Sequence, residues 1–249
     1  MESIPLWMPL AFFAVAVAYA SVGFGGGSSY LALLALVGLP HDTIPQTALV
    51  CNLIVTAGGV WHFHRAGHLD ARRALPFVTL SIPLAYLGGR IPIGRELFAL
   101  LLGVSLLAAA VRMLIPSARF ARPRGLGVRE AWAAGVPLGG ALGFLSGLVG
   151  IGGGIFLAPI VILAGWASAK QAAGLASLFI LVNSAAGLAG QMHKGAHLEW
   201  MVVPLAVAAL LGGQIGSRLG AHRLPQMGVQ RLLAGLILLV SLRILGGVL

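Results

Sequence analysis

Charge is what this chain has least of. Only 9% of its 249 residues are charged, six acidic and sixteen basic, where a soluble domain carries about a quarter. A chain so poor in charge cannot cover a water-facing surface. Hydrophobic residues make up 59% of it and the mean hydropathy is +0.98, so the sequence describes an integral membrane protein. Cysteine is nearly absent. Cys51 stands alone, which excludes an intramolecular disulfide and a multi-cysteine metal site. No nucleotide-binding motif is present, so any energy for work comes from gradients or a partner. Strict apolar–polar alternation is missing as well. The apolar runs are continuous and rich in Leu and Ala, which points to helices and not to an outer-membrane barrel.

The charges that do occur sit at the edges. Glu2, Asp42, Asp70, Glu96, Glu130 and Glu199 fall in loops or at the ends of apolar runs, and so do all Lys and Arg. A carboxylate cation site within the membrane is thereby excluded. Proton coupling through a buried carboxylate is disfavoured. The net charge of +10 lies in short loops, where it reports orientation and not nucleic-acid binding. The N-terminus shows neither a positive leader nor a cleavage site, so the run from Ile4 to Tyr19 is expected to be a retained membrane segment.

Glycine, by contrast, is abundant and clustered. Gly23-Phe24-Gly25-Gly26-Gly27 recurs as Gly150-Ile151-Gly152-Gly153-Gly154, 127 residues later. Glycine costs a helix about 1 kcal/mol against alanine, so each cluster should break the apolar run that holds it. The flanks repeat too. His64-Arg65-Ala66-Gly67-His68-Leu69-Asp70 matches His193-Lys194-Gly195-Ala196-His197-Leu198-Glu199 at an offset of 129, and Gly88-Gly89-Arg90-Ile91 matches Gly216-Ser217-Arg218-Leu219 at 128. A nearly constant offset indicates an internal duplication.

Apolar segments fall at 4–22, 26–39, 44–62, 74–92 and 96–115, then at 130–148, 154–167, 170–191, 199–217 and 229–247. This predicts a first repeat over 1–115, an Arg/Pro-rich cytoplasmic linker over 116–129 and a second repeat over 130–249. The first two segments of each half are short, roughly 20–28 Å as helices against a core of about 30 Å. They read as a hairpin that turns at the glycines and enters and leaves on one side. Three full spans follow. The expected fold class is an all-α polytopic membrane protein of 8–10 membrane segments in two inverted repeats, each a Gly-broken hairpin plus three transmembrane helices. With the linker in the cytoplasm, inversion places 63–73 and 218–231 inside. Those loops are more basic than 39–43, 90–96 and 192–199, in accord with the positive-inside rule. Parallel halves would put one of the basic loops outside.

These glycine motifs, the Ile155-Phe156-Leu157-Ala158-Pro159 that follows the second, and the duplicated ends at Gly88 and Gly216 resemble the sulfite exporter TauE/SafE family over essentially the whole chain. The resemblance implies transport of small anions, often sulfur-containing: sulfite, sulfoacetate, other organosulfonates, thiosulfate. Many members carry a Thr-Ser pair after the glycine element. Here Gln46-Thr47-Ala48 and Gly174-Leu175-Ala176-Ser177 stand instead, so the polar side chains of the site are open to difference.

An anion site needs donors. The first amides of a helix lack internal partners and carry the positive end of its dipole. Helices starting near Gly27 and Gly154 would aim them at mid-membrane, as discontinuous helices do in other transporters. The expected substrate-binding residues are Gly25, Gly26, Gly27, Ser28, Ser29, Gln46, Thr47, Asn52, Gly152, Gly153, Gly154, Ser177 and Asn183. Tight helix crossing is the competing use of the glycines. Helix capping competes for the serines, and interhelical hydrogen bonding for Asn52, Asn183 and their polar neighbours. Gln214 and Tyr86 occupy equivalent places and are weaker candidates. Cys51, in apolar surroundings, reads as inert. His62, His64, His68, His193 and His197 read as interfacial loop residues, and Trp61, Trp166 and Trp200 as interfacial anchors.

The function expected is a secondary transporter or facilitator of a small anion by alternating access, with no catalytic residue, metal or cofactor. Its partners are a small anionic substrate and the lipid bilayer, with a homodimer left open and no nucleic acid. It is placed as a multi-pass protein of the cell inner (plasma) membrane. An anion channel, or a membrane subunit or enzyme acting with a sulfur-metabolising partner, are the alternatives.

Overall fold

The computed structural model describes residues 5–114, 127–195, 199–200, 202–222, 237–239, 241–242 and 244–246. Most of the linker over 116–129 and His197 lie outside the described residues. Ten helices are defined: α1 (Met8–Ala20), α2 (Gly27–Leu36), α3 (Ile44–Arg65), α4 (Ala71–Val78), α5 (Ser81–Arg90), α6 (Arg95–Leu114), α7 (Val128–Val149), α8 (Gly154–Leu163), α9 (Ala169–His193) and α10 (Val202–His222). The described residues of 237–246 are helical as well, and no strand occurs among the described residues. Among the described residues, four helices are long and apolar enough to cross a membrane: α3, α7, α9 and α10. Large apolar side chains such as Leu97, Val104, Val207 and Leu211 stay exposed along α6 and α10, as a surface bathed in acyl chains allows. No charged side chain is buried among the described residues.

Both glycine clusters break helices. Beyond α1 the backbone turns through Gly23 (φ 81°) and Gly26 (φ 92°), and beyond α7 through Gly150 (φ 87°), Gly152 (φ 88°) and Gly153 (φ 72°). Glycine enters this left-handed region without the Cβ clash that bars other residues. Each time the chain reverses. The ring of Tyr30, in the first turn of α2, stacks on that of Phe12, midway along α1, with centroids 4.5 Å apart. A Cβ on Gly153 would lie 3.1 Å from the carbonyl oxygen of Leu142, two turns before the end of α7.

Two segments depart from the lengths expected. The segment at 130–148 is not short. As α7 it runs for 22 residues, about 33 Å, long enough to cross. The segment at 74–92 is not one helix but two, α4 and α5, parted at Thr79 and Leu80. Pro83 has no N–H for the Thr79 carbonyl, and Pro76 already interrupts α4. Its counterpart α10 keeps a single proline near its start, Pro204, and is continuous.

The packing of one half recurs, transposed, in the other. Gly23 abuts the backbone of Ala173, and Gly150 that of Pro45. Gly88 abuts the carbonyl of Phe144, and Gly216 that of Val17. In α3 and α9, late Gly59 faces early Ser177 and early Leu49 faces late Gly187, so these two helices run antiparallel. Glycines spaced by four do the close helix packing. Gly135, Gly139, Gly143 and Gly147 set α7 against α4 and α5, while Gly212, Gly216 and Gly220 set α10 against α1. The glycine clusters thus make the breaks and their close contacts, while the glycines spaced by four serve only the crossings.

Candidate functional site

The two breaks meet at one side chain. Asn52 lies on α3, wholly buried. Its Oδ1 would be 3.0 Å from a Cβ on Gly27 and closer still to one on Gly25, while its Nδ2 would be 3.0 Å from a Cβ on Gly152. Nδ2 donates to the carbonyl of Ile151 at 3.4 Å, and Oδ1 has no partner. Ile180, opposite on α9, packs on Gly25, Gly152 and Gly154. Gly25, Gly27, Gly152, Gly154 and Asn52 therefore belong to one locus.

The helices that leave this locus start in the same way. α2 has Gly26 and α8 has Gly153 as N-cap, both left-handed and neither with a side-chain cap. Their positive dipole ends face the region between the breaks. Ser28 and Ser29, in the first turn of α2, do not cap it. Both bond the hydroxyl of Tyr19 at 3.0 Å, Ser29 Oγ as donor. Ser177 donates to the carbonyl of Gly23 at 2.9 Å, pinning the start of the first break to α9.

Other expected residues stand apart. Thr47 bonds the Thr43 carbonyl of its own helix, and Gln46 is buried beside it in the early turns of α3. Asn183 donates to Phe179 O, also within its helix, at 2.8 Å. Gln171 closes a capping box with Ser168 at the start of α9. Gln214 and Tyr86 reach histidines at helix ends, His62 and His193, each at 3.3 Å. No cluster of His, Cys, Asp or Glu suited to a metal occurs among the described residues. Trp61 and Trp200 are exposed, and Trp61 lies under the Arg65 guanidinium at 5.2 Å. Trp166 instead packs near Phe77, with ring centroids 6.4 Å apart.

Sequence reasoning passed over Tyr19, Tyr30 and Ile180. Two of the three tyrosines in the chain flank the first break, and that was the available signal. Outside the spans, partial burial lowers the pKa of Lys194 below its usual value, and nearby Asp42 opposes the shift. The two described cavities lie to the side of the breaks. One of about 270 Å³ is bordered by His41, Arg95 and Phe98. The other, about 430 Å³, lies along Val50, Trp200 and Val207.

Uncharged breaks turned toward a shared locus, inside a bundle of membrane-length helices, suit a transporter. A family model described as Sulfite exporter TauE/SafE matches residues 8–244. The chain belongs to the sulfite exporter TauE/SafE family. The curated relatives it matches are transporters by name. A probable membrane transporter protein y4hK of Sinorhizobium fredii is 33% identical, covering 98% of this chain and 100% of that protein. A probable membrane transporter protein YunE of Bacillus subtilis is 26% identical, over 80% of this chain and 81% of that one. Another from Xylella fastidiosa is 29% identical, over 80% and 78%. No solved structure matches. Within the TauE/SafE family, then, this chain is a multi-pass membrane transporter.

Proposed function

We propose that the protein is a secondary transporter of a small anion of the sulfur oxyanion or organosulfonate class. It works by alternating access between two inverted halves in the cell inner membrane, with the substrate held where the glycine breaks meet. The observation that carries this reading is the locus around Asn52. Two uncapped helix starts lie beside it with no buried charge of either sign. Backbone amides and helix dipoles are the natural anion donors there.

Inversion is supported by the transposed contacts. A contact that recurs with its partners exchanged is the mark of a two-fold relation. Equivalent helices α3 and α9, both of membrane length, run antiparallel. The repeats over 1–115 and 130–249 and the cytoplasmic linker are part of the same proposal.

The test is flux through the full chain in proteoliposomes, with sulfite, thiosulfate, sulfoacetate, sulfate and short carboxylates. Uptake against a gradient of at least one sulfur anion is expected. Downhill flux alone would make it an uncoupled facilitator or a channel. No flux of any of these anions would discard the reading.

A further inference from the structure

The far end of α2, away from its glycine break, borders a cavity of mixed character. The cavity measures about 270 Å³ and lies between the loop after α2, the starts of α3 and α6, and Ile244. Its walls are largely hydrocarbon, from Ile44, Phe98, Leu102 and Ile244, and its polar side chains are those of His41 and Arg95. The His41 ring leans on Phe98, with centroids 6.3 Å apart. The same ends of α2 and α6 expose Leu36, Leu97 and Leu100, so the surface around this cavity is one that acyl chains cover.

The protein does not neutralise the cation here. Arg95 is exposed and makes no ion pair among the described residues. Asp42 and Glu96 follow His41 and Arg95 in sequence, but neither lines the cavity. Asp42 lies close enough to Lys194, at the end of α9, to oppose the fall in its pKa. A guanidinium at the edge of an apolar hollow suits a partner with an anionic head and a hydrocarbon body.

Size narrows the partner further. Sites that enclose a drug-sized ligand run to about 300–1,000 Å³, and this one falls short of that range. It therefore takes part of its occupant and leaves the rest in the bilayer, as a phospholipid would be held. A soluble anion would leave the apolar walls unused. The other described cavity supplies the contrast. At about 430 Å³ it is larger, but its charged member is Glu199, which repels an anionic head.

We propose that the cavity at Arg95 is a binding site for a phospholipid with an anionic head group. The Arg95 guanidinium pairs with the phosphate and His41 donates a second hydrogen bond. Phe98, Leu102 and Ile244 hold the first carbons of one chain. A zwitterionic head binds less well, because it brings its own cation up to Arg95. The lipid joins the end of α2 to the start of α6. This site stands apart from the breaks and does not depend on what they carry.

The test is native mass spectrometry of the full-length protein in detergent, titrated with lipid. The probes are phosphatidylglycerol and phosphatidylcholine of the same chains, and glycerol phosphate as a head without chains. Phosphatidylglycerol should bind about tenfold more tightly than phosphatidylcholine, the gain of one hydrogen bond to a charged group. Glycerol phosphate should not bind measurably. Arg95→Gln, at an exposed position, should remove the preference while leaving the affinity for phosphatidylcholine unchanged. Ala99→Trp fills the cavity and should displace phosphatidylglycerol from it. Glu199→Gln, at the other cavity, should leave the tight site as it is. Equal affinity for the two lipids would overturn the proposal, as would a preference that survives Arg95→Gln. Glycerol phosphate binding as tightly as the lipid would overturn it too, because the apolar walls would then do nothing. Should Ala99→Trp fail to fold, Arg95→Gln still decides.

Discussion

Around Gly26 the chain gathers Tyr19, Ser28, Ser29 and Tyr30. Around Gly153, 127 residues on, it gathers Ser146, Ile155, Phe156 and Leu157. The backbone of the two places is nearly the same: a left-handed glycine, no side-chain cap, and a helix of 10 residues. The linings are not. In the first, one phenol ties two serines together. In the second, an unpartnered Ser146 hydroxyl stands where the phenol would be, and hydrocarbon fills the rest. Both places keep what glycine alone can do, while their side chains differ. Backbone geometry is shared between the two breaks, while the polar side chains belong to the first.

The comparison breaks most sharply at the glycines. Gly26→Leu and Gly153→Leu should each abolish transport in vesicles. Each forces a side chain into a positive φ, a strain of about 1–3 kcal/mol, and into a ring 2.8 Å (Tyr30) or 2.9 Å (Phe179) away. Both proteins should still insert, as membrane fractionation would show. Full activity in both variants would remove the breaks from the mechanism. A loss in Gly26→Leu alone would show that transport uses the first break and not the second.

The two asparagines come next. Asn52→Leu should cut flux at least about tenfold, the loss of one hydrogen bond to a charged group. Asn183→Leu should leave flux intact, because that amide bonds its own helix and adjoins no glycine of either break. Equal losses would mean that both act through packing. Third, Tyr19→Phe should lower thermal stability in detergent by about 1–2 kcal/mol, since two buried hydroxyls lose a partner. Its counterpart Ser146→Ala should change stability by close to zero, having no bond to lose. The smallest effect is expected at Ser177→Ala, about 1 kcal/mol, from losing the bond to Gly23 O. Leu49, its counterpart, makes no such bond.

Much of this was legible in the chain. Scarce charge pointed to the membrane class, and the clusters to the broken helices. The family followed from the same motifs. Individual polar residues were harder to place. Asn52 and Asn183 look alike in sequence, each mid-span among apolar neighbours, yet one bridges the breaks and the other bonds back to Phe179. Gln171, on the same helix as Asn183, is half of a capping box at its start. The length of α7 and the break between α4 and α5 were missed because hydropathy averages over a window, while Pro83 removes a single hydrogen bond.

The sequence by itself determined where the backbone must bend and what the interior could not contain. Those are local matters, fixed by glycine's missing Cβ and by the cost of burying charge. Only the tertiary structure decided which side chains meet there. Asn52 stands 99 residues from the Ile151 carbonyl it bonds, and Ser177 stands 154 from that of Gly23. Such pairs come from the packing of α3 and α9 against the two breaks. That packing depends on how two helical faces fit, which no run of residues in either helix encodes alone.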